Sequence, residues 1–362
     1  VSSDGDLIFT ACENLTARVW DATTGKPVAG PMSQTNKITQ AIFSPDGSYV
    51  LTAADDNIVR VWKTKDASLV SQLKGPENHI IQDVSFSPDS QMVASAYSDG
   101  SAELWDAVSG RVSTNRIQHS PMIICIRFSP DGQLVATASG YEAGLWDAAT
   151  GKALTPPLRS VYPMISVEFS ADGQQLLTLS GVPPGVLQGS GDQLKWEARV
   201  WETATGKATS AAMRFEAEDA FAHFSPDGQW VLTASESEVR IWETATGKPV
   251  TEALPHPRVL RAAQFSADSR VLLTGSSDGT VEAQAIFPAE LPEIAVALAE
   301  AGEWLAECRI NERGALERLP ARTLTEQAEF WKTNRHSAIA RTFFEWLIST
   351  NSLASPTATG GR

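Results

Sequence analysis

Over residues 1–287, apolar runs about five residues long alternate with clusters of Ser, Pro, Asp and Gly. The clearest stretch is FSPDSQMVASAYSDGSAELWD, Phe86 to Asp106. Ser87-Pro88-Asp89-Ser90 carries turn chemistry, because Pro presets φ and an Asp side chain bonds the backbone two residues on. Met92 to Ala96 then predicts one strand, Ser98-Asp99-Gly100 a tight turn, and Ala102 to Trp105 a second strand. The first strand of such pairs is apolar almost without interruption (YVLTA, MVASA, LVATA), as suits a strand packed on both faces.

The unit recurs. Its turn returns as VSSDG (Val1–Gly5), FSPDG (Phe43–Gly47), FSPDG (Phe128–Gly132), FSADG (Phe169–Gly173), FSPDG (Phe224–Gly228) and FSADS (Phe265–Ser269). A Trp closes six copies, at Trp20, Trp62, Trp105, Trp146, Trp201 and Trp242, spaced 42, 43, 41, 55 and 41 residues apart. Gln284 takes that slot in the seventh copy. A period near forty with a closing Trp-Asp marks WD40 blades. With endings such as ARVWDATTG (Ala17–Gly25), ARVWETATG (Ala198–Gly206) and VRIWETATG (Val239–Gly247), the chain resembles a bacterial WD40-repeat protein from Val1 to Phe287.

The resemblance implies an all-β, seven-bladed β-propeller over 1–287, each blade having four antiparallel strands a to d, with the Asp-Gly turn joining a to b. Copy one then starts without strand a and takes Pro27–Gly30 as a short d. Copy two runs Ile38–Phe43, Tyr49–Ala53, Ile58–Trp62 and Leu69–Leu73. The family's His, Asp, Ser/Thr and Trp form a hydrogen-bonded set that locks a blade. By position these are His79, Asp99, Ser95 and Trp105 in copy three. Copy two has Thr52, Asp56 and Trp62, with Asn36 in the His place; copy seven has His256, Thr274 and Asp278 but no Trp. Copy four has Thr137 and Trp146 and a shortened b–c turn without Asp. Such sets are structural, and His79–Asp99–Ser95 is a hydrolase triad in composition only, since geometry and role define a triad.

Copy five inserts GVPPGVLQGSGDQLKWE, Gly181 to Glu197, between strands b and c. Loops this long are uncommon unless functional or mobile. On the face where b–c and d–a loops emerge, Val186, Leu187 and Trp196 are expected to meet a protein or peptide partner. The GSGD within it lacks the third glycine and the Lys-Ser/Thr of a phosphate loop.

Past Phe287 the period becomes helical. Residues 288–350 predict a helical extension, with an amphipathic helix from Pro292 running toward Ile310, a turn at Asn311–Gly314, a helix from Leu324 after a Thr323/Glu326 capping box, and a third from Ser337 to Ser349. Residues 351–362 read as a disordered tail. Acidic Ala/Leu-rich helices here resemble the C-termini of large bacterial WD40 proteins, many of which carry a Ser/Thr protein kinase domain ahead of the propeller. No HRD or DFG lies in these residues. With Val1 just inside a repeat, the chain reads as a fragment, and the ring is expected to be incompletely closed, with blades one and seven each short of a strand.

A net charge of −14 argues against wrapping a phosphate backbone. Three scattered cysteines, Cys12, Cys125 and Cys308, read as buried thiols in a reducing compartment, which is taken as cytoplasmic. No apolar run approaches the roughly 18–20 residues needed to span a bilayer. There is no HExxH, no metal-spaced cluster and no nucleophile elbow, and single carboxylates in the turns do not supply the oxygens a Ca²⁺ needs. No cofactor, nucleic acid, membrane or small-molecule substrate is therefore expected. The reading is a non-catalytic scaffold for a protein or peptide; the alternative is the sensory or docking propeller of a kinase. A channel enzyme would need inward-facing carboxylates and His from several blades, and the strand-a sequences read as too apolar for that.

Overall fold

A computed structural model describes residues 2–286, apart from 12–14, 78, 120, 183–194, 218, 257–258 and 279, together with 308–310 and 316–318. Seven antiparallel sheets follow one another along the chain. The first has three strands, Leu7–Ala11, Thr16–Asp21 and Met32–Ser33. Sheet two is Ile38–Phe43, Tyr49–Ala54, Ile58–Lys63 and Leu69–Lys74; sheet three is Ile81–Phe86, Met92–Tyr97, Ser101–Asp106 and Val112–Gln118. Sheet four is Ile123–Phe128, Leu134–Ser139, Glu142–Asp147 and Leu158–Arg159; sheet five is Met164–Phe169, Gln175–Gly181, Lys195–Glu202 and Met213–Glu216. Sheet six is Ala220–Phe224, Trp230–Ser235, Glu238–Glu243 and Leu254–Pro255. The seventh has three strands, Leu260–Phe265, Val271–Ser276 and Val281–Ala285. No strand among the described residues adds a fourth to the first or last sheet.

The turn sequence explains the a–b hairpin. In FSPDG, Ser44 Oγ donates to Asp46 Oδ1 at 2.6 Å and accepts from Tyr49 N at 2.9 Å, while Asp46 Oδ1 accepts from Ser48 N at 3.0 Å. Gly47 sits at φ +72°, a conformation that favours glycine. The same bonds recur at Ser87/Asp89, Ser129/Asp131 and Ser170/Asp172. Ser90 takes the glycine's place at φ +63°. There its Oγ accepts the Asp46 N–H at 3.1 Å, so the turn of one blade is tied to the next.

Packing divides the chain into two compact units, Val1–Ser235 with Arg240–Glu252, and Glu236–Val239 with Ala253–Arg362. In the first, the core lies between successive sheets. Val59 and Val61 of sheet two meet Val84, Phe86 and Trp105 of sheet three. Leu104 and Ile117 meet Ile123, Ile126 and Val135, and Leu145 meets Val167, Phe169 and Trp201. Second strands are thus buried on both faces, which accounts for their unbroken apolar runs. Each large side chain so enclosed contributes about 1.5–3 kcal/mol. First strands also lie against one another from sheet two to sheet six, which makes them the innermost elements.

Two sequence expectations need correction here. The outermost strand of sheet one, the third of its three, is Met32–Ser33, paired with Ala17 and Thr16, and Pro27 makes only an isolated bridge to Trp20. Pro lacks the N–H that a ladder needs. In the second unit Cys308–Ile310 pairs antiparallel with Leu316–Arg318, where a helix was expected to run toward Ile310. The rest of the helix expected from Pro292, the helices expected from Leu324 and over Ser337–Ser349, and the tail lie outside the described residues.

Candidate functional site

Six closing Trp residues each donate their indole N–H to a hydroxyl on the neighbouring second strand. The pairs are Trp20–Thr10 at 2.8 Å, Trp62–Thr52 at 2.9 Å, Trp105–Ser95 at 3.0 Å, Trp146–Thr137 at 2.8 Å, Trp201–Thr178 at 2.9 Å and Trp242–Thr233 at 2.8 Å. Around this common bond the blades differ. In blade three, Asp99 accepts from Ser101 N and Oγ and pairs with Arg116 at 3.2 Å. Burial opposes the Asp99 carboxylate, but those hydrogen bonds and the charges of Arg116 and His79 outweigh it and hold its pKa down. His79 donates its backbone N–H to Pro76 O at 3.4 Å.

In blade two the residue reaching Thr52 is Gln34, whose Nε2 donates to Oγ1 at 2.6 Å, so Gln34 and not Asn36 holds the His place. Asp56 is bonded to Arg60 at 2.6 Å and to Thr35 at 3.0 Å. In blade four, His119 Nδ1 lies 3.3 Å from Thr137 Oγ1, its ring stands edge-on to Trp146 at 5.7 Å, and Glu142 approaches Nε2 at 3.8 Å. The carboxylate nearest His119 is thus Glu142, the first residue of the strand that follows that shortened turn. In the second unit, His256 contacts Thr274 at 3.2 Å and Glu282 at 3.3 Å, while Asp278 Oδ1 accepts from Thr280 at 2.6 Å. Ser95 is fully buried and its hydroxyl is engaged by an indole. That arrangement places the Ser95 hydroxyl inside the packing of blade three.

The expected partner-binding group Trp196 is corrected outright. It is 1% exposed and lies in strand c opposite Gly181, and its Nε1 donates to Ala217 O at 2.9 Å. The indole fills the space a Cβ at position 181 would occupy, 2.4 Å from that point. Trp196, Ala198 and Val200 share one buried face. That period-two alternation was the available signal, because it extends strand c back into the insertion. Val186 and Leu187 lie outside the described residues.

Exposed apolar groups stand elsewhere. Val161 at 68%, Ile80 at 60% and Tyr141 at 57% are the most exposed large apolar side chains among the described residues, with Met122 at 38% between them in sequence. Ile80 and Met122 immediately precede the first strands of blades three and four, Val161 leads into that of blade five, and Tyr141 is the b–c turn of blade four. In an antiparallel a-to-d order, those segments emerge at the same end of the blades. Hydrogen bonds join them: Ser98 N to Ile80 O, and Ser160 N to Tyr141 O, both 3.0 Å.

At the innermost strands the expectation of apolar sequence also fails. Asp83, Arg127, Glu168 and His223 project from the first strands of blades three, four, five and six. Asp83 pairs with Arg127, and Glu168 Oε2 with His223 Nδ1 at 2.8 Å. Both carboxylates also accept a backbone N–H from the next blade, at Ile126 (2.9 Å) and Phe224 (3.1 Å). Saturated in this way, they are poor candidates for general acid–base work. Cys125 beside them is buried, and its thiol is pushed up to about 11 by burial. Among the described residues no group of three His, Cys, Asp or Glu side chains could hold a metal, and no helix is long and apolar enough to cross a membrane.

Five segments match the family model described as WD domain, G-beta repeat: residues 25–63, 67–106, 111–147, 220–243 and 247–282. Every one ends in or at the close of a third strand, the strand that carries the Trp slot. No curated protein matches the chain. Among solved structures, a crystal structure of the computationally designed Ika8 protein is similar, at TM-score 0.63 and 20% identity over 78% of this chain and 81% of that one. At that identity the likeness speaks of fold alone. The chain therefore carries WD40 repeats, laid out as the antiparallel blades of an all-β propeller fold.

Proposed function

We propose that this chain is a non-catalytic protein–protein interaction scaffold that docks a protein or peptide on the loop face of blades three to five. The observation that carries this reading is the row Ile80, Met122, Tyr141 and Val161, offered to solvent at one end of three successive blades. Large apolar groups exposed together mark interaction surfaces more often than chance scatter does. WD40 repeats commonly serve as interaction scaffolds, and this supports the same reading. It holds equally for a free-standing scaffold and for the docking arm of a larger signalling protein such as a kinase. Neither nucleic acid nor a small-molecule substrate is part of the proposal.

The test uses two variants, each removing exposed apolar side chains from one end of the blades. One is Ile80→Ser/Tyr141→Ser/Val161→Ser; the control is Val108→Ser/Leu154→Ser, at the c–d hairpins of the other end. Proteins that co-purify with the wild-type chain are expected to be lost with the first variant and kept with the second. Retention with both, or loss with the control alone, overturns the proposal.

A further inference from the structure

Two seams between blades are built alike. Asp83 Oδ2 accepts from Ile126 N at 2.9 Å and from the Arg127 guanidinium, so strand a of blade three grips strand a of blade four. Glu168 Oε1 accepts from Phe224 N at 3.1 Å and its Oε2 from His223 Nδ1 at 2.8 Å, so blade five grips blade six. Each carboxylate holds a backbone N–H and an adjacent cationic side chain of the following blade. Between blades four and five the corresponding contact is only a thiol, Cys125 Sγ to Val167 O at 4.0 Å. The two carboxylate seams differ in one respect. A guanidinium keeps its charge at every accessible pH, whereas an imidazole changes charge near neutrality.

We propose that the Glu168–His223 contact makes the seam between blades five and six a pH-sensitive latch that tightens on acidification through neutrality, while the Asp83–Arg127 seam stays constant. The charged surroundings of His223 are simple. Its own strand, Ala220–Phe224, holds no other charged group, and neither do the packed strands Trp230–Ser235 and Gln175–Gly181. Met164–Phe169 contributes Glu168 alone, and the charge of Glu168 is felt in turn by Arg127 on the next inner strand.

The direction follows from these contacts. Burial alone would push the imidazolium pKa down; the hydrogen bond and charge of Glu168 outweigh it and raise the value above its ordinary 6.5. A group with a raised folded pKa contributes its full stabilisation below its unfolded value of ~6.5 and loses it as pH rises through the folded pKa. His223 keeps 46% of its side chain in solvent, which limits the gain. An exposed ion pair of this kind corresponds to about a two- to five-fold shift in the seam's opening equilibrium.

Amide hydrogen exchange of the whole chain reads this directly. Protection of the Phe224 amide, corrected for intrinsic exchange, is expected to rise about two- to five-fold relative to that of Ile126 between pH 8.5 and pH 6. His223→Gln should abolish the slope and leave the fold intact, since its side chain is half exposed. Glu168→Gln should lower Phe224 protection at both pH values and remove the slope. An unchanged slope in His223→Gln, or an equal slope at Ile126 in the wild type, overturns the proposal. If Glu168→Gln fails to fold, the His223→Gln comparison alone decides.

Discussion

Replacing Ser95 by Ala removes one oxygen from the centre of blade three. The hydroxyl and the Trp105 ring that donates to it are both fully buried, with the N–H···O contact at 3.0 Å. Ala leaves the indole N–H without its acceptor in a place water does not reach. A buried donor stranded in this way costs about 1–3 kcal/mol, more than the net worth of the bond itself. Thr10→Ala removes the same acceptor from Trp20 in blade one, where Thr10 is exposed and Trp20 only half-buried. Water replaces the hydroxyl there, so the cost should stay below about 0.5 kcal/mol. Urea denaturation followed by both Trp fluorescence and circular dichroism measures the two, provided the transitions coincide and the m-value is unchanged. Equal losses in the two variants would refute the view that burial, and not the bond alone, sets the cost. A Ser95→Ala loss below about 0.5 kcal/mol would refute the stranded-donor argument itself.

Other outcomes follow from single positions. Ala67 sits at φ +57° in the slot where Gly25, Gly110, Gly151, Gly206 and Gly247 sit between +64° and +68°. Ala67→Gly should therefore stabilise by about 0.5–1 kcal/mol in the same urea experiment, because a left-handed residue pays for its Cβ. Trp196→Ala should destabilise by about 3–5 kcal/mol by emptying a buried ring site, and a variant of wild-type stability would contradict its placement in the core. Burial lowers the pKa of His119, against the opposing charge and hydrogen bond of Glu142. A lowered folded pKa makes protonation unfavourable in the native state, so stability should fall as pH drops below ~6.5. His119→Gln should flatten that part of the stability–pH curve, and an unaltered curve would remove His119 as its source.

The repeats made the blades legible because each strand type has its own local chemistry. Ser-Pro-Asp-Gly can only serve a tight turn, and an unbroken apolar run followed by a closing Trp describes a strand held between two sheets. The sequence was least informative where a residue's role depends on the neighbouring blade. Asp83 and Glu168 read as isolated charges in apolar strands, yet their partners lie 43 to 56 positions on. Gln34 could not be told from Asn36 as the partner of Thr52, because short polar loops do not fix register. Trp196 misled for a related reason. Its loop-like neighbours Gly189, Ser190 and Gly191 sit close in sequence, while the strand it belongs to continues from the other side. The exposed row is visible only once Ile80, Met122 and Val161 are seen to precede three successive inner strands.

Docking on the loop face is most directly tested by a hydrogen-exchange footprint, taken on the chain with and without a purified protein that the Ile80/Tyr141/Val161 variant fails to capture. The account predicts added protection at residues 79–81, 121–123, 140–142 and 160–164, with the a–b turns unchanged. Protection confined to the a–b turns or the c–d hairpins would contradict it.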